Sequence, residues 1–168
     1  MHPAIPPSRP FSDAIARGGA RLLRTGRLMR APIWIYRMRL GFLFGSRMLM
    51  LEHVGRRTGQ RRRVVLEVFG HPASDRYLVV SGFGDRAQWF RNVRAHPQVR
   101  VSVAGRRSVP ATARVLGSAE ADAALARYAA RYPRAWRTFK PVLESTLGTS
   151  IDQEHTALPI VELRTVNS

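Results

Sequence analysis

No cysteine occurs among the 168 residues, which excludes a disulfide framework, a thiolate metal site and a cysteine nucleophile. A reducing, cytoplasmic setting is the natural expectation. Acidic residues are scarce, 11 against 28 basic ones, so the formal charge of +17 favours an anionic partner: nucleic acid, anionic lipid or a highly charged small ligand. Lysine is nearly missing too. Lys140 stands alone, and the positive charge rests on arginine, whose planar fork matches phosphate and carboxylate oxygens. Long hydrophobic runs are also wanting. Arg37 and Arg39 interrupt the apolar stretch from Pro32 to Phe44, whereas a membrane-spanning helix needs roughly 20 mostly apolar residues. No transmembrane anchor is expected, and no secretory leader, since the first apolar run begins only near Ala31. The five histidines, His2, His53, His71, His96 and His155, show no paired spacing, so no metal site is expected. A Gly-x-Ser-x-Gly elbow, a P-loop and a full dinucleotide fingerprint are all absent.

What is present reads as one domain of 31–168 behind a basic arm of 1–30. The arm opens with Pro3, Pro6, Pro7 and Pro10, and Ser12 caps an arginine-bearing helix to about Arg30, compatible with peripheral contact on an anionic membrane. Pro32 then starts a short apolar helix over Ile33 to Phe44. From Arg47 the pattern changes to strands. Alternation predicts them at Met48–Val54, Arg61–Phe69, Arg76–Ser81, Val99–Val103, Val109–Leu116 and Leu158–Leu163, with a turn at 71–75. A short helix over Arg86 to Ala95 is inserted, and two more follow, one capped by Ser118 and running to Tyr132, the other over Arg134 to Leu147. About six strands at this spacing predict a mainly β fold with flanking helices (α+β), a small barrel that closes its own edges.

The chemistry gathers at glycines. Gly55 and Gly59 bracket Arg56, Arg57 and Thr58 between two strands, where backbone amides can approach an anion while two guanidiniums and a hydroxyl reach it from the side. Arg63 lies just beyond. A second glycine loop, Ser81-Gly82-Phe83-Gly84, precedes the aromatic helix that carries Trp89 and Asn92. A basic rim beside aromatic surface suits a flat heterocycle with a phosphorylated tail.

The ordered segments Gly55-Arg56-Arg57-Thr58-Gly59-Gln60, Ser81-Gly82-Phe83-Gly84, Trp89 to Pro97 and Tyr132-Pro133 resemble the successive motifs of the deazaflavin-dependent nitroreductase family. The resemblance spans about Met48 to Val161. It implies a split, FMN-binding-like β-barrel that holds coenzyme F-420, an 8-hydroxy-5-deazaflavin with a phosphodiester and polyglutamate tail, and passes hydride to a small-molecule acceptor. By the same resemblance, Arg56, Arg57, Thr58 and Gly59 match the phosphate-binding turn, and Ser81, Gly82, Phe83 and Gly84 match the second loop. Trp89 and Asn92 match the helix along the cofactor groove. Tyr132, with Trp136 a turn later, falls where family members set aromatic residues over the substrate, and Tyr132, Tyr128 and Trp136 are the candidate donors near the acceptor oxygen. Gly82 stands where the family usually has lysine, and Phe90 and Arg91 replace its usual tyrosine and leucine. Split barrels of this kind are often paired, so the resemblance is compatible with a homodimer. An FMN-binding barrel is the alternative oxidoreductase, and a basic module for nucleic acid or membrane is the alternative outside enzymes. Scattered arginines and aromatics held in apolar runs speak against nucleic acid.

Overall fold

The computed structural model describes residues 47–152, 154 and 156–166. The expected arm over 1–30 and the helix over 33–44 lie outside them. Six strands form a closed, wholly antiparallel barrel: β1 (Met48–Val54), β2 (Arg61–Ala73), β3 (Arg76–Val80), β4 (Gln98–Val103), β5 (Arg106–Val115) and β6 (Ile160–Thr165), in spatial order β1-β2-β3-β6-β5-β4. Among the described residues three α-helices flank it: α1 (Gln88–Ala95), α2 (Ser118–Arg131) and α3 (Pro133–Leu147). This is the mainly β barrel with flanking helices that the strand pattern predicts and the split barrel that the family resemblance implies.

Alternation decides which side chains fill the barrel. Leu49 and Leu51 from β1, Tyr77 and Val79 from β3, Val99, Val101 and Val103 from β4, and Val161 and Leu163 from β6 point inward. Each fully buried aliphatic side chain contributes roughly 1.5–3 kcal/mol. Phe90 and Val93 of α1 join the same cluster, so this helix belongs to the interior core. On the outer wall, Leu78 and Ile160 receive Ala121 and Ala124 of α2. Leu125, Ala129 and Trp136, from α2 and α3, close over Ile151 and Leu158.

Several boundaries differ from expectation; the helix expected from Arg86, for one, starts at Gln88, and four others have a local reason. β2 continues to Ala73, because β3 keeps pairing with it as far as Ala73 and Arg76 across two register shifts. β5 begins at Arg106, since Ala104 and Gly105 both take positive φ (49° and 82°) and make a two-residue turn that returns the chain at once into pairing. The N-cap of α2 is Gly117, whose amide donates to the Glu120 carboxylate at 3.1 Å, and Ser118 is the first helical residue. β6 starts at Ile160, because Leu158 is spent in the cluster beneath the helices. No helix among the described residues is long and apolar enough to cross a membrane.

Candidate functional site

The basic turn is held together from within. Gly55 N donates to Gln60 O at 2.8 Å, Gly59 N to Gly55 O at 2.8 Å and Thr58 N to Gly55 O at 3.2 Å. Gln60 N reaches Thr58 Oγ1 at 3.4 Å, and Arg56 N donates to Asn92 Oδ1 at 3.1 Å. Five amides are therefore already committed. The expectation of a cradle of free amides is corrected accordingly: what the turn presents outward is side chains. Gly59 takes a φ of 65° that favours glycine, and a Cβ on Gly55 would meet Thr58 Oγ1 at 2.8 Å, so both glycines shape the turn.

Asn92 ties this turn to α1. It is 3% exposed, accepts from Arg56 N and from Arg56 Nη1 at 3.2 Å, and its Nδ2 lies 3.2 Å from His53 Nδ1. Gln88 Oε1 accepts a further bond from Arg56 Nη1 at 3.0 Å. Asn92 thus positions the turn from behind. Burial and the nearby Arg62 push the His53 imidazole below its ordinary value, which keeps it neutral beside that amide. Arg57 and Thr58 are exposed, and Arg57 has no hydrogen bond or ion pair among the described residues. Arg57 is the free cation of the turn. Arg63 lies on β2, its Nε donating to Glu52 Oε2 at 3.0 Å.

The second glycine loop is also internally satisfied. Ser81 is fully buried and its Oγ donates to Gly84 O at 2.8 Å, so this hydroxyl shapes the loop instead of opening to solvent. Gly84 has a φ of 56°, and Cβ atoms on Gly82 and Gly84 would meet Leu143 and Leu147 at 3.2 and 3.1 Å, so α3 rests directly on the loop. Phe83 is exposed at the loop's tip. Trp89 packs edge-on to Phe90 with centroids 5.9 Å apart, a core anchor at the margin of the interior cluster.

A cavity of about 750 Å³ lies between the outer face of β2 and helix α2. Tyr128 and Tyr132 line it, and Phe69, Glu67 and His71 supply the β2 side. Phe69 stacks on Tyr128 at 4.3 Å between centroids, with Tyr132 5.4 Å from Tyr128. Burial raises the Tyr128 phenol above its ordinary value, with Glu67 and Tyr132 adding to the shift and Arg47 opposing it. Tyr128 is therefore a protonated donor at neutral pH. Tyr132 is 47% exposed and its hydroxyl accepts from Arg131 Nε at 3.0 Å. Glu67 has an exposed outline, yet its carboxyl is crowded enough that burial raises it above the ordinary carboxylate value, with Arg47 pulling the other way.

Trp136, nominated with the tyrosines, does not line this cavity. It is buried among Leu125, Ala129, Ile151 and Leu158, with its ring edge-on to Tyr128 at 6.4 Å. Pro133 restarts the chain as α3, so the stripe of Tyr128 and Tyr132 does not continue to the next helix. Glu67, Phe69, Arg47, Arg127 and Arg131 were missing from the candidates. Glu67 and Phe69 carried a signal, since alternation with Val64, Leu66 and Val68 sets them on the outer face of β2.

Residues 28–147 match the family model described as F-420H(2)-dependent quinone reductase. The chain belongs to that family. Family membership makes it an F-420-dependent reductase; the acceptor is a separate question. Among solved structures, an F-420-H2 dependent reductase (FDR-A) is 22% identical, covering 71% of this chain and 96% of its own, with a TM-score of 0.49. A protein of unknown function from Agrobacterium tumefaciens is 19% identical, with a TM-score of 0.52 over 82% of this chain and 56% of its own. A pyridoxamine 5'-phosphate oxidase-related, FMN-binding protein from Nostoc punctiforme is 12% identical, with a TM-score of 0.50 over 86% of this chain and 83% of its own. The last two show the shared split-barrel fold. No curated protein matches the chain.

Proposed function

We propose that this family member binds reduced coenzyme F-420 through the basic turn and reduces an electron-poor acceptor, a quinone, an enone or a nitroaromatic, held in the cavity beneath Tyr128 and Tyr132. The observation that carries the reading is that cavity: about 750 Å³, apolar at Phe69 and Leu78, with a protonated phenol from Tyr128 on its wall. The donor set at the turn fits the cofactor's charged tail, because Arg57 is exposed with no hydrogen bond or ion pair among the described residues, and Arg56 is fixed beside it by Gln88 and Asn92.

Reduced deazaflavin, when bound, supplies a hydride, since carbon replaces the flavin nitrogen that would allow one-electron steps. The chain's own residues do the rest. Arg56, Arg57 and Thr58 anchor charge, the buried Asn92 fixes the turn against α1, and the cavity orients the acceptor. Tyr128 donates a hydrogen bond where negative charge develops on the acceptor oxygen. Tyr132, at the exposed edge, completes the wall.

The test is a fluorescence titration of the protein with the deazaflavin coenzyme and, side by side, with FMN. Tight saturable deazaflavin binding, weakened at least about tenfold in Arg56→Ala/Arg57→Ala, is the expected result. Preference for FMN would move the chain to flavin chemistry. Unchanged affinity in the double variant would remove the turn from the site.

A further inference from the structure

The cavity walls carry more positive charge than an acceptor of the plain quinone type requires. Arg127 and Arg131 stand one turn apart on α2, and Arg47 enters from the residue before β1. Among the described residues the cavity sets a single carboxyl, Glu67, against these three guanidiniums, and it makes no salt bridge there. Arg131 spends its Nε on the Tyr132 hydroxyl, leaving the two outer nitrogens of its fork uncommitted, and Arg127 has no hydrogen bond or ion pair among the described residues.

Elsewhere on the barrel, arginines of comparable exposure are given acids. Arg63 meets Glu52 at 3.0 Å, Arg94 meets Asp85 at 3.2 Å and Arg164 meets Asp75 at 3.4 Å. Arg114 meets both Glu120 and Glu162, at 2.7 and 3.3 Å. Free arginines also occur on the open surface, as at the β4–β5 hairpin, but those do not converge on a concavity. Three converging, under-neutralised guanidiniums over an apolar floor of Phe69, Leu78 and Ala124 form a site with two demands. One is met by a flat apolar body, the other by an anion.

We propose that the cavity selects acceptors that pair a flat, apolar body with an anionic group such as a carboxylate or sulfonate, which Arg127 and Arg131 engage. The inference rests on the reading of this cavity as the acceptor site, and it deepens that reading by naming the acceptor class. The turn at Gly55–Gly59 does not line the cavity, so the cofactor's charged tail and the acceptor's anion have separate anchors.

The experiment needs no cofactor. Quenching of intrinsic fluorescence is titrated in the full chain with 1,4-naphthoquinone and with 1,4-naphthoquinone-2-sulfonate, which share a ring and differ in charge. Four proteins are compared at fixed ionic strength: the parent, Arg127→Gln/Arg131→Gln, the hairpin control Arg106→Gln/Arg107→Gln, and Arg57→Ala at the turn. All these side chains are exposed, so the folds are expected to persist and melting curves check this. The parent should bind the sulfonate about tenfold more tightly than the neutral quinone, the scale of one charge-assisted contact. The cavity variant should reduce that preference to about threefold or less while neutral-quinone affinity moves less than about twofold, and the control should keep it. Equal affinity of the two quinones in the parent would overturn the inference, as would a preference that survives the cavity variant. A preference lost in the hairpin control or in Arg57→Ala would overturn it equally, placing the anion outside the cavity. Deazaflavin titration of the same samples separates the two readings: failure to bind the coenzyme strikes the cofactor assignment, whereas the quinone comparison strikes only the acceptor class.

Discussion

Two carboxylates on the same barrel wall have opposite surroundings. Glu52 projects from β1 and Glu67 from β2, both on the outer face, by alternation with Leu51 and Leu66 inside. Glu52 is 8% exposed and saturated: Arg63 Nε donates to Oε2 at 3.0 Å and Ser108 Oγ to Oε1 at 2.8 Å. Ser108 in turn receives Arg100 Nε at 2.7 Å, and its amide donates to Ser102 Oγ at 2.9 Å. Burial alone would raise the Glu52 carboxyl, but the bonds from Ser108 and Arg63 and the charges of Arg63 and Arg100 outweigh it and hold it below the ordinary value. Glu67 has no such partners, and burial prevails. The Glu52 charge is satisfied within the barrel wall, whereas Glu67 faces a cavity with no salt bridge among the described residues.

The comparison breaks most visibly at Glu52. Glu52→Gln is expected to lower unfolding stability by about 2 kcal/mol, because it weakens a charge-assisted bond to Arg63 and releases Ser108, which sits at a φ of 49° where a non-glycine residue needs support. Thermal or urea unfolding measures it, and a loss below about 0.5 kcal/mol would mean the cluster merely decorates the surface. Acid should expose the same dependence. A depressed folded value means that Glu52's contribution is present above the unfolded carboxylate value and is lost as pH falls through the folded one. Stability of the parent should therefore fall more steeply on the acid side than that of Glu52→Gln, and parallel acid limbs would show that other carboxylates control the transition.

The barrel was legible because its information is local. Strand β1 follows the expected bounds from Met48 to Val54, and the alternation of Val64, Leu66 and Val68 orients β2. The site was legible only in its motifs. Gly55 to Gly59 marks a basic turn, but whether its amides are free depends on Gln60, and on Asn92 reaching across from α1, 36 residues away from Arg56. Tyr128, Tyr132 and Trp136 share a helical spacing in the sequence. Only the break at Pro133 sends the first two toward the cavity and the third into the core. Glu67 comes to share a cavity with Arg127 and Arg131 through the packing of α2 onto β2, a juxtaposition that no periodicity announces.

The smallest effect is expected at Glu67 and is the sharpest test of the contrast. Its folded protonation value is raised, so the native state holds more protons than the unfolded chain between the unfolded and folded values. Stability then declines as pH rises through that window, and the ionised carboxyl is a liability above it. Glu67→Gln keeps the shape and removes the charge, so at neutral pH its stability should equal or slightly exceed the parent's, within about 0.5 kcal/mol. Its sulfonate preference should also rise, since the one acid opposing Arg47, Arg127 and Arg131 is gone. Unfolding at pH 5 and pH 8 together with the quinone titration checks both. A clear loss of stability at pH 8 would show that Glu67 has a structural partner after all, and would make the two carboxylates alike.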